Sequence, residues 1–157
     1  MFHKVKMTKE YATEIANWQY NEPIALYSGD GSEETIQEYL DGTYYAVLDP
    51  HEQLFGFYCT GNNAQVPGAH GINVYQKHAI DVGVGMNPKN VGKGFGEAFL
   101  QYILTQIKKN EREIDIRLTV ATFNYRAIHL YEQIGFTMEK LFKVNEIEFQ
   151  VMYKTAL

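Results

Sequence analysis

Apolar and polar positions change their period several times along the chain, and each change predicts an element. Residues 2–7 alternate as a short strand. Thr8 then reads as an N-cap, and Tyr11, Ile15 and Trp18 recur at helical spacing until Asn21-Glu22-Pro23 stops the helix. After the loop Ser28-Gly29-Asp30-Gly31, Ser32 caps a second short helix, which runs to about Leu40. Its Glu33 and Glu34 suit the positive end of the helix dipole. Residues 43–48 and 53–60 read as the strands of a hairpin around Asp49-Pro50-His51-Glu52. Residues 61–76, with Pro67, Gly68 and Gly71, show no period. A connection of that length is either functional or mobile.

Residues 78–86 form a third strand pattern, with Ile80, Val82, Val84 and Met86 on one face and Asp81, Gly83 and Gly85 on the other. Pro88 closes it, a glycine-rich turn follows, and Phe95, Phe99, Tyr102, Ile103 and Ile107 then fit an amphipathic helix. Ile114, Ile116, Leu118 and Val120 alternate with Asp115, Arg117 and Thr119 as another strand. Asn124 caps the next helix, and Gly135 is its natural left-handed terminator. Residues 136–144 and 146–154 make a closing hairpin around Asn145. The order β-α-α-β-β-β-α-β-α-β-β predicts a three-layer α+β fold on a mixed, mostly antiparallel sheet, in one domain spanning residues 1–157.

Composition narrows the function classes. The formal net charge is −5, and Lys108-Lys109 is the only adjacent basic pair, so no nucleic-acid footprint is present. A mildly acidic surface tolerates cationic substrates better than anionic ones. The lone cysteine, Cys59, allows no internal disulfide and is expected to be a buried, inert thiol. No apolar run has the length of a signal peptide core or a membrane span. These features predict a cytoplasmic protein with neither membrane nor nucleic acid as partner. They leave the oligomeric state open, with a homodimer the commonest arrangement.

The sharpest local feature is the turn Gly92-Lys93-Gly94-Phe95-Gly96 between a strand and a helix. Glycines there let backbone N–H groups point inward at the positive end of a helix, an arrangement suited to a pyrophosphate. Lys93 adds a screened positive charge. The G-x-G-x-G spacing is not the G-x-G-x-x-G of dinucleotide sites, and the P-loop pattern is absent. A glycine-rich helix start with no ligand remains the alternative on these residues alone.

The segment Met86-Asn87-Pro88-Lys89-Asn90-Val91-Gly92-Lys93-Gly94-Phe95-Gly96 resembles the CoA-binding motif of the GNAT superfamily of N-acetyltransferases, with Gly94 and Gly96 at its small positions. Val91 stands where that family usually has Gln or Arg, which leaves the phosphates to the backbone and Lys93. Residues 117–136, from Arg117 through Asn124-Tyr125-Arg126-Ala127 and Tyr131 to Gly135-Phe136, resemble the family's second signature. The resemblance is specific over residues 78–136. It implies a GNAT-like α/β/α fold with a splayed sheet, acetyl-CoA as co-substrate, no metal, and direct transfer of the acetyl group to a primary amine of a small molecule or peptide. A catalytically silent CoA-binding sensor on the same fold is the alternative.

The resemblance also implies roles. Gly92, Lys93, Gly94, Phe95, Gly96 and Asn124 would hold the cofactor. Backbone N–H groups near Gly85, Met86 and Asn87 would polarise the thioester carbonyl. Tyr131 would be the general acid, since a phenol of pKa about 10 is protonated at neutral pH; a core tyrosine is the competing reading. Asp81 leads as general base, the competing reading being a solvent-facing strand residue or one paired with a neighbouring cation, and His78, His51, Glu52 and His70 are less well placed. Trp18, Tyr20, Tyr27, Tyr44 and Tyr45, aided by Glu22, Asp30 or Glu33, are candidates for the acceptor wall.

Overall fold

The computed structural model describes residues 1–69, 73–110 and 113–156. Backbone contacts divide the chain into two compact units, residues 1–59 with 84–99, and residues 60–83 with 100–157.

The first unit opens with strand β1 (His3–Lys6) and helix α1 (Lys9–Ala16). The Thr8 hydroxyl accepts from the Tyr11 N–H at 3.3 Å, the cap its position predicts. The helix ends sooner than its apolar spacing suggests. The Ala16 and Trp18 carbonyls accept N–H bonds from Gly31 and Gly29, at 2.8 and 2.9 Å, so the returning loop ends the helix and Asn21-Glu22-Pro23 does not. Trp18 is buried outside the helix. Helix α2 (Glu33–Tyr39) follows, and the Ser32 hydroxyl accepts from the Thr35 N–H at 3.1 Å.

Strands β2 (Tyr44–Leu48) and β3 (Leu54–Thr60) form the expected antiparallel hairpin, and β1 pairs antiparallel with β2. The Asp49 carboxylate closes the turn by accepting N–H bonds from His51 and Gln53. An aromatic core fills the unit, with the Phe55 ring 4.7 Å from Phe2 and 5.3 Å from Phe99. Cys59 is buried, as expected.

Strand β4 (Ile80–Met86) and helix α3 (Gly96–Lys108) each run through both units. In the second unit β4 pairs parallel with strand β5 (Ile116–Ala121), but only at Ile80–Ile116 and Asp81–Arg117. Helix α4 (Tyr125–Ile134) starts at Asn124, whose side chain accepts from the Ala127 N–H at 3.3 Å. It stops at Gly135, at φ 110°, in the left-handed region. Strands β6 (Thr137–Val144) and β7 (Ile147–Lys154) form a hairpin, and β7 pairs antiparallel with β5. Asn145 and Glu146 both have positive φ, the geometry of a tight two-residue turn.

The described residues between 61 and 76 are partly packed rather than free. Ala69 and Val74 are buried in a core with Ala121, Phe142, Phe149, Val151 and Tyr153. The Tyr75 hydroxyl accepts from the Val66 N–H at 3.0 Å and meets the Thr119 hydroxyl at 2.9 Å. His70 and Gly71, singled out in the sequence, lie outside the described residues. The observed strand and helix order is the predicted one, and the strands form a mixed, mostly antiparallel open arrangement. No described helix is long and apolar enough to cross a membrane.

Candidate active site

In the first unit, β4 ends in a short 3-10 turn (Pro88–Asn90) and then the glycine turn. Gly92 and Gly94 sit at φ 78° and 84°, which only glycine adopts without strain. The Phe95 carbonyl accepts the first helical bond, from the Phe99 N–H at 3.1 Å, so Phe95 precedes α3 rather than lying within it. Its ring is 43% exposed and packs at 5.7 Å from Phe55. Among the described residues, no backbone N–H of residues 92–98 donates to another protein group. A Cβ added at Gly94 would meet nothing within 4 Å. A run of free donors faces open space at the start of a 13-residue helix. These residues fit a diphosphate. Lys93 is exposed beside them, and Val91 contributes no donor beyond its backbone.

The end of β4 departs from expectation at Asn87. Its N–H donates to the Phe55 carbonyl at 2.8 Å, and its carbonyl accepts from the Asn90 N–H at 2.8 Å. Its side-chain amide donates to the Leu54 carbonyl at 3.1 Å and accepts from the Lys89 N–H at 3.2 Å. The backbone N–H of this buried residue is already used, so Asn87 is a clamp between β3 and the end of β4 and has no backbone N–H left for a carbonyl. Gly85 was expected to mark a close approach. A Cβ there would lie 2.1 Å from Cε1 of Phe57, so a protein ring makes that approach. The Met86 carbonyl accepts a 2.6 Å hydrogen bond from the Tyr20 hydroxyl.

The proposed acceptor aromatics divide. Tyr20 reaches the end of β4 as just described. Trp18 lies 6.1 Å from the Phe57 ring, and the Tyr44 hydroxyl donates to Glu38 at 3.1 Å. Tyr45 stacks on Tyr58 at 5.3 Å under the Lys4 ammonium, and Tyr27 is exposed. Tyr39 and Phe57, which the sequence did not single out, complete the cluster at 5.8 Å from each other. Their signal was available in Tyr39-Leu40 closing α2 and in the β3 run Phe55, Phe57, but nothing local distinguishes a wall from a core.

In the second unit, Asp81 is buried and held by Arg117, whose Nε donates to Oδ1 and whose Nη2 donates to Oδ2 at 2.7 Å. Gln65 donates to Oδ2 at 2.8 Å. Arg117 also donates to the Lys77 carbonyl at 2.8 Å and the Tyr153 hydroxyl at 3.2 Å. Burial works against the guanidinium charge, but the hydrogen bonds to Asp81 and Tyr153 and the nearby negative charge outweigh it and hold the Arg117 pKa above its ordinary value. Both Asp81 oxygens are occupied by donors from Arg117 and Gln65, which makes Asp81 the counter-ion of a buried cation. It is therefore not a free base. The alternation in β5 placed Arg117 on a polar face; β5 is buried on both faces, and the charge is met inside. An Asp and an Arg in two neighbouring apolar strands were the signal that a pair could form.

Tyr131 is buried on α4, with its ring 6.0 Å from Phe136. Asn124 is the cap of that helix. Among the alternative bases, His78, His51 and Glu52 are exposed. Gly85, Met86, Asn87 and residues 92–96 thus belong to the first unit, and Asp81, Asn124 and Tyr131 to the second.

A strand, a glycine turn with free backbone donors and a helix follow one another here, an order suited to binding an anionic group at the helix start. The family model described as the acetyltransferase (GNAT) family matches residues 12–136, so the chain belongs to that family. Solved structures agree in fold. A chimera of the spermidine N-acetyltransferase SpeG from Vibrio cholerae and hSSAT is 20% identical, with 98% of this chain and 95% of that one covered and a TM-score of 0.70. A GNAT-family acetyltransferase from Bacillus anthracis is 14% identical over 98% and 94%, with a TM-score of 0.70. A protein assigned as a phosphinothricin N-acetyltransferase is 17% identical over 100% and 99%, with a TM-score of 0.73. No curated protein sequence matches the chain significantly.

Proposed function

We propose that the chain, acting as a single domain, moves the acetyl group of acetyl-CoA directly to a primary amine of a small molecule or peptide. The observation that carries this reading is the set of undonated N–H groups at residues 92–98 over open space, in a member of an acetyltransferase family. Gly92, Lys93, Gly94, Phe95 and Gly96 hold the diphosphate, chiefly through backbone donors. Gly85 and Met86 remain as candidates to orient the carbonyl, and Asn124 can cap α4 and still meet the cofactor. Bound acetyl-CoA supplies the acyl carbon: the C–N bond forms as the C–S bond breaks, the amine loses a proton and the sulfur gains one. Tyr131 gives that proton to the sulfur and is reprotonated from solvent. Asp81 serves Arg117, so the amine must react in its neutral form and release its proton to solvent.

The silent-sensor reading draws support from the commitment of Asp81 and Asn87, which removes two of the expected catalytic parts. One experiment separates the two. Acetyl-CoA raises the melting temperature on either reading. Release of free thiol with a panel of amines supports transfer, and a thermal shift with no thiol release from any amine supports the sensor. No shift at millimolar acetyl-CoA or CoA removes both.

A further inference from the structure

Charge is segregated along this chain. Residues 10–50 hold nine of its 19 acidic residues and none of its 14 lysines and arginines. That segment carries α2, all of α1 except its first residue, Lys9, and the loop between them, and it supplies most of an aromatic cluster at the end of β4. The Phe57 ring covers Gly85, where an added Cβ would lie 2.1 Å from the ring. Around it stand Trp18 at 6.1 Å, Tyr39 at 5.8 Å and Tyr44 at 6.1 Å between ring centroids. Phe57 and Tyr39 remain partly exposed. Tyr20 joins the cluster to the last residue of β4 through the Met86 carbonyl.

One carboxylate, Glu38, stands at these rings, and a second, Asp30, lies in the loop that leads into α2. Glu38 is exposed and accepts from the Tyr44 hydroxyl at 3.1 Å. Asp30 accepts from the Ser32 N–H at 2.9 Å, and hydrogen bonds from Ser32 and Thr35 hold its pKa below the usual carboxylate range. Burial first, then the charges of Glu38 and Asp30, raise the Tyr39 phenol above its ordinary value, so both carboxylates bear on the same ring. Aromatic faces beside carboxylates, with no neighbouring cation in the segment, attract an ammonium group.

The reacting nitrogen must be neutral, and a carboxylate at its side would keep it protonated. A receiver of positive charge is therefore useful only for a nitrogen that does not react. From this we infer that the acceptor is an aliphatic amine carrying a second, unreacting positive charge, received by Tyr39 and Phe57 with Glu38 and Asp30 as counter-charges. The inference rests on the acetyl-transfer reading and specifies its substrate class.

The test compares 1,4-diaminobutane, butylamine and 4-aminobutanoate by thiol release at low and high salt. The diamine exceeds butylamine in kcat/KM by about tenfold at low salt, chiefly through KM, and the zwitterion is poorer still. The preference shrinks as salt rises. Glu38→Gln, an exposed change that leaves the fold intact, lowers the diamine-to-butylamine ratio by about threefold. Equal use of diamine and butylamine, or preference for 4-aminobutanoate, overturns the inference while leaving acetyl transfer standing. Failure of all three with thiol release from a peptide amine does the same. Failure with every amine overturns acetyl transfer itself.

Discussion

Arg117 donates to both carboxylate oxygens of Asp81, one strand away and 36 residues later in the chain. The pair also organises its surroundings. Gln65 reaches the same carboxylate, and the Lys77 carbonyl and Tyr153 hydroxyl accept from the same guanidinium. The two ends of the irregular segment 61–77 are thereby tied to β4 and β5. Removing one partner leaves the other charge buried. Asp81→Asn or Arg117→Met is expected to cost about 3–5 kcal/mol in denaturant unfolding. Replacing both with apolar residues of similar volume should cost less than either single change. A double variant less stable than both singles would contradict this account of the pair.

The glycine turn can be tested without disturbing a core. Gly94→Ala places a Cβ in open space but forces alanine to φ 84°, at about 1–3 kcal/mol. The turn is expected to relax away from the geometry that leaves its donors free for a ligand. The Kd for acetyl-CoA, measured by calorimetry, should rise at least about tenfold, roughly 1.4 kcal/mol. Unaltered affinity would show that the turn does not hold the cofactor.

Tyr131→Phe keeps the ring that packs near Phe136 and removes only the hydroxyl. If that hydroxyl protonates the leaving sulfur, kcat should fall by about 10²–10⁴ while the Kd for acetyl-CoA stays within about twofold. An unaltered kcat would leave Tyr131 a core residue of α4.

Gly85→Ala should destabilise the first unit by about 1–3 kcal/mol, because its Cβ overlaps the Phe57 ring at 2.1 Å. Phe57→Ala costs stability by emptying the same space. The double variant should recover part of the loss, giving a coupling of about 0.5–3 kcal/mol in a thermal-melt cycle. Additive losses would mean that the ring does not dictate glycine at this position.

Features closed by short-range bonds were legible before any fold was known. Thr8, Ser32 and Asn124 cap their helices by hydrogen bonds to N–H groups three residues on. Gly135 turns left-handed at the end of α4, and Asn145 with Glu146 turns the last hairpin. What misled was any inference that needed a distant partner. The apolar spacing of the first helix overstates its length because the Gly31 N–H returns to the carbonyl of its last residue, Ala16. The chain position of Asn87 suggests a backbone donor for a ligand, because nothing local reveals its bonds to Leu54 and Phe55 on another strand.

By itself, then, the amino-acid order determined the sequence of strands and helices, their caps and the glycine turn at residues 92–96, since each depends on neighbours within a few residues. Tertiary structure alone decided which polar groups remain free. It paired Asp81 with Arg117, tied Asn87 to Leu54 and Phe55, laid Phe57 over Gly85 and joined Tyr20 to Met86 across 66 residues. The reason is physical: whether a donor or a charge can act on a ligand depends on what else lies within about 3 Å, and residues that meet at that range can be far apart along the chain.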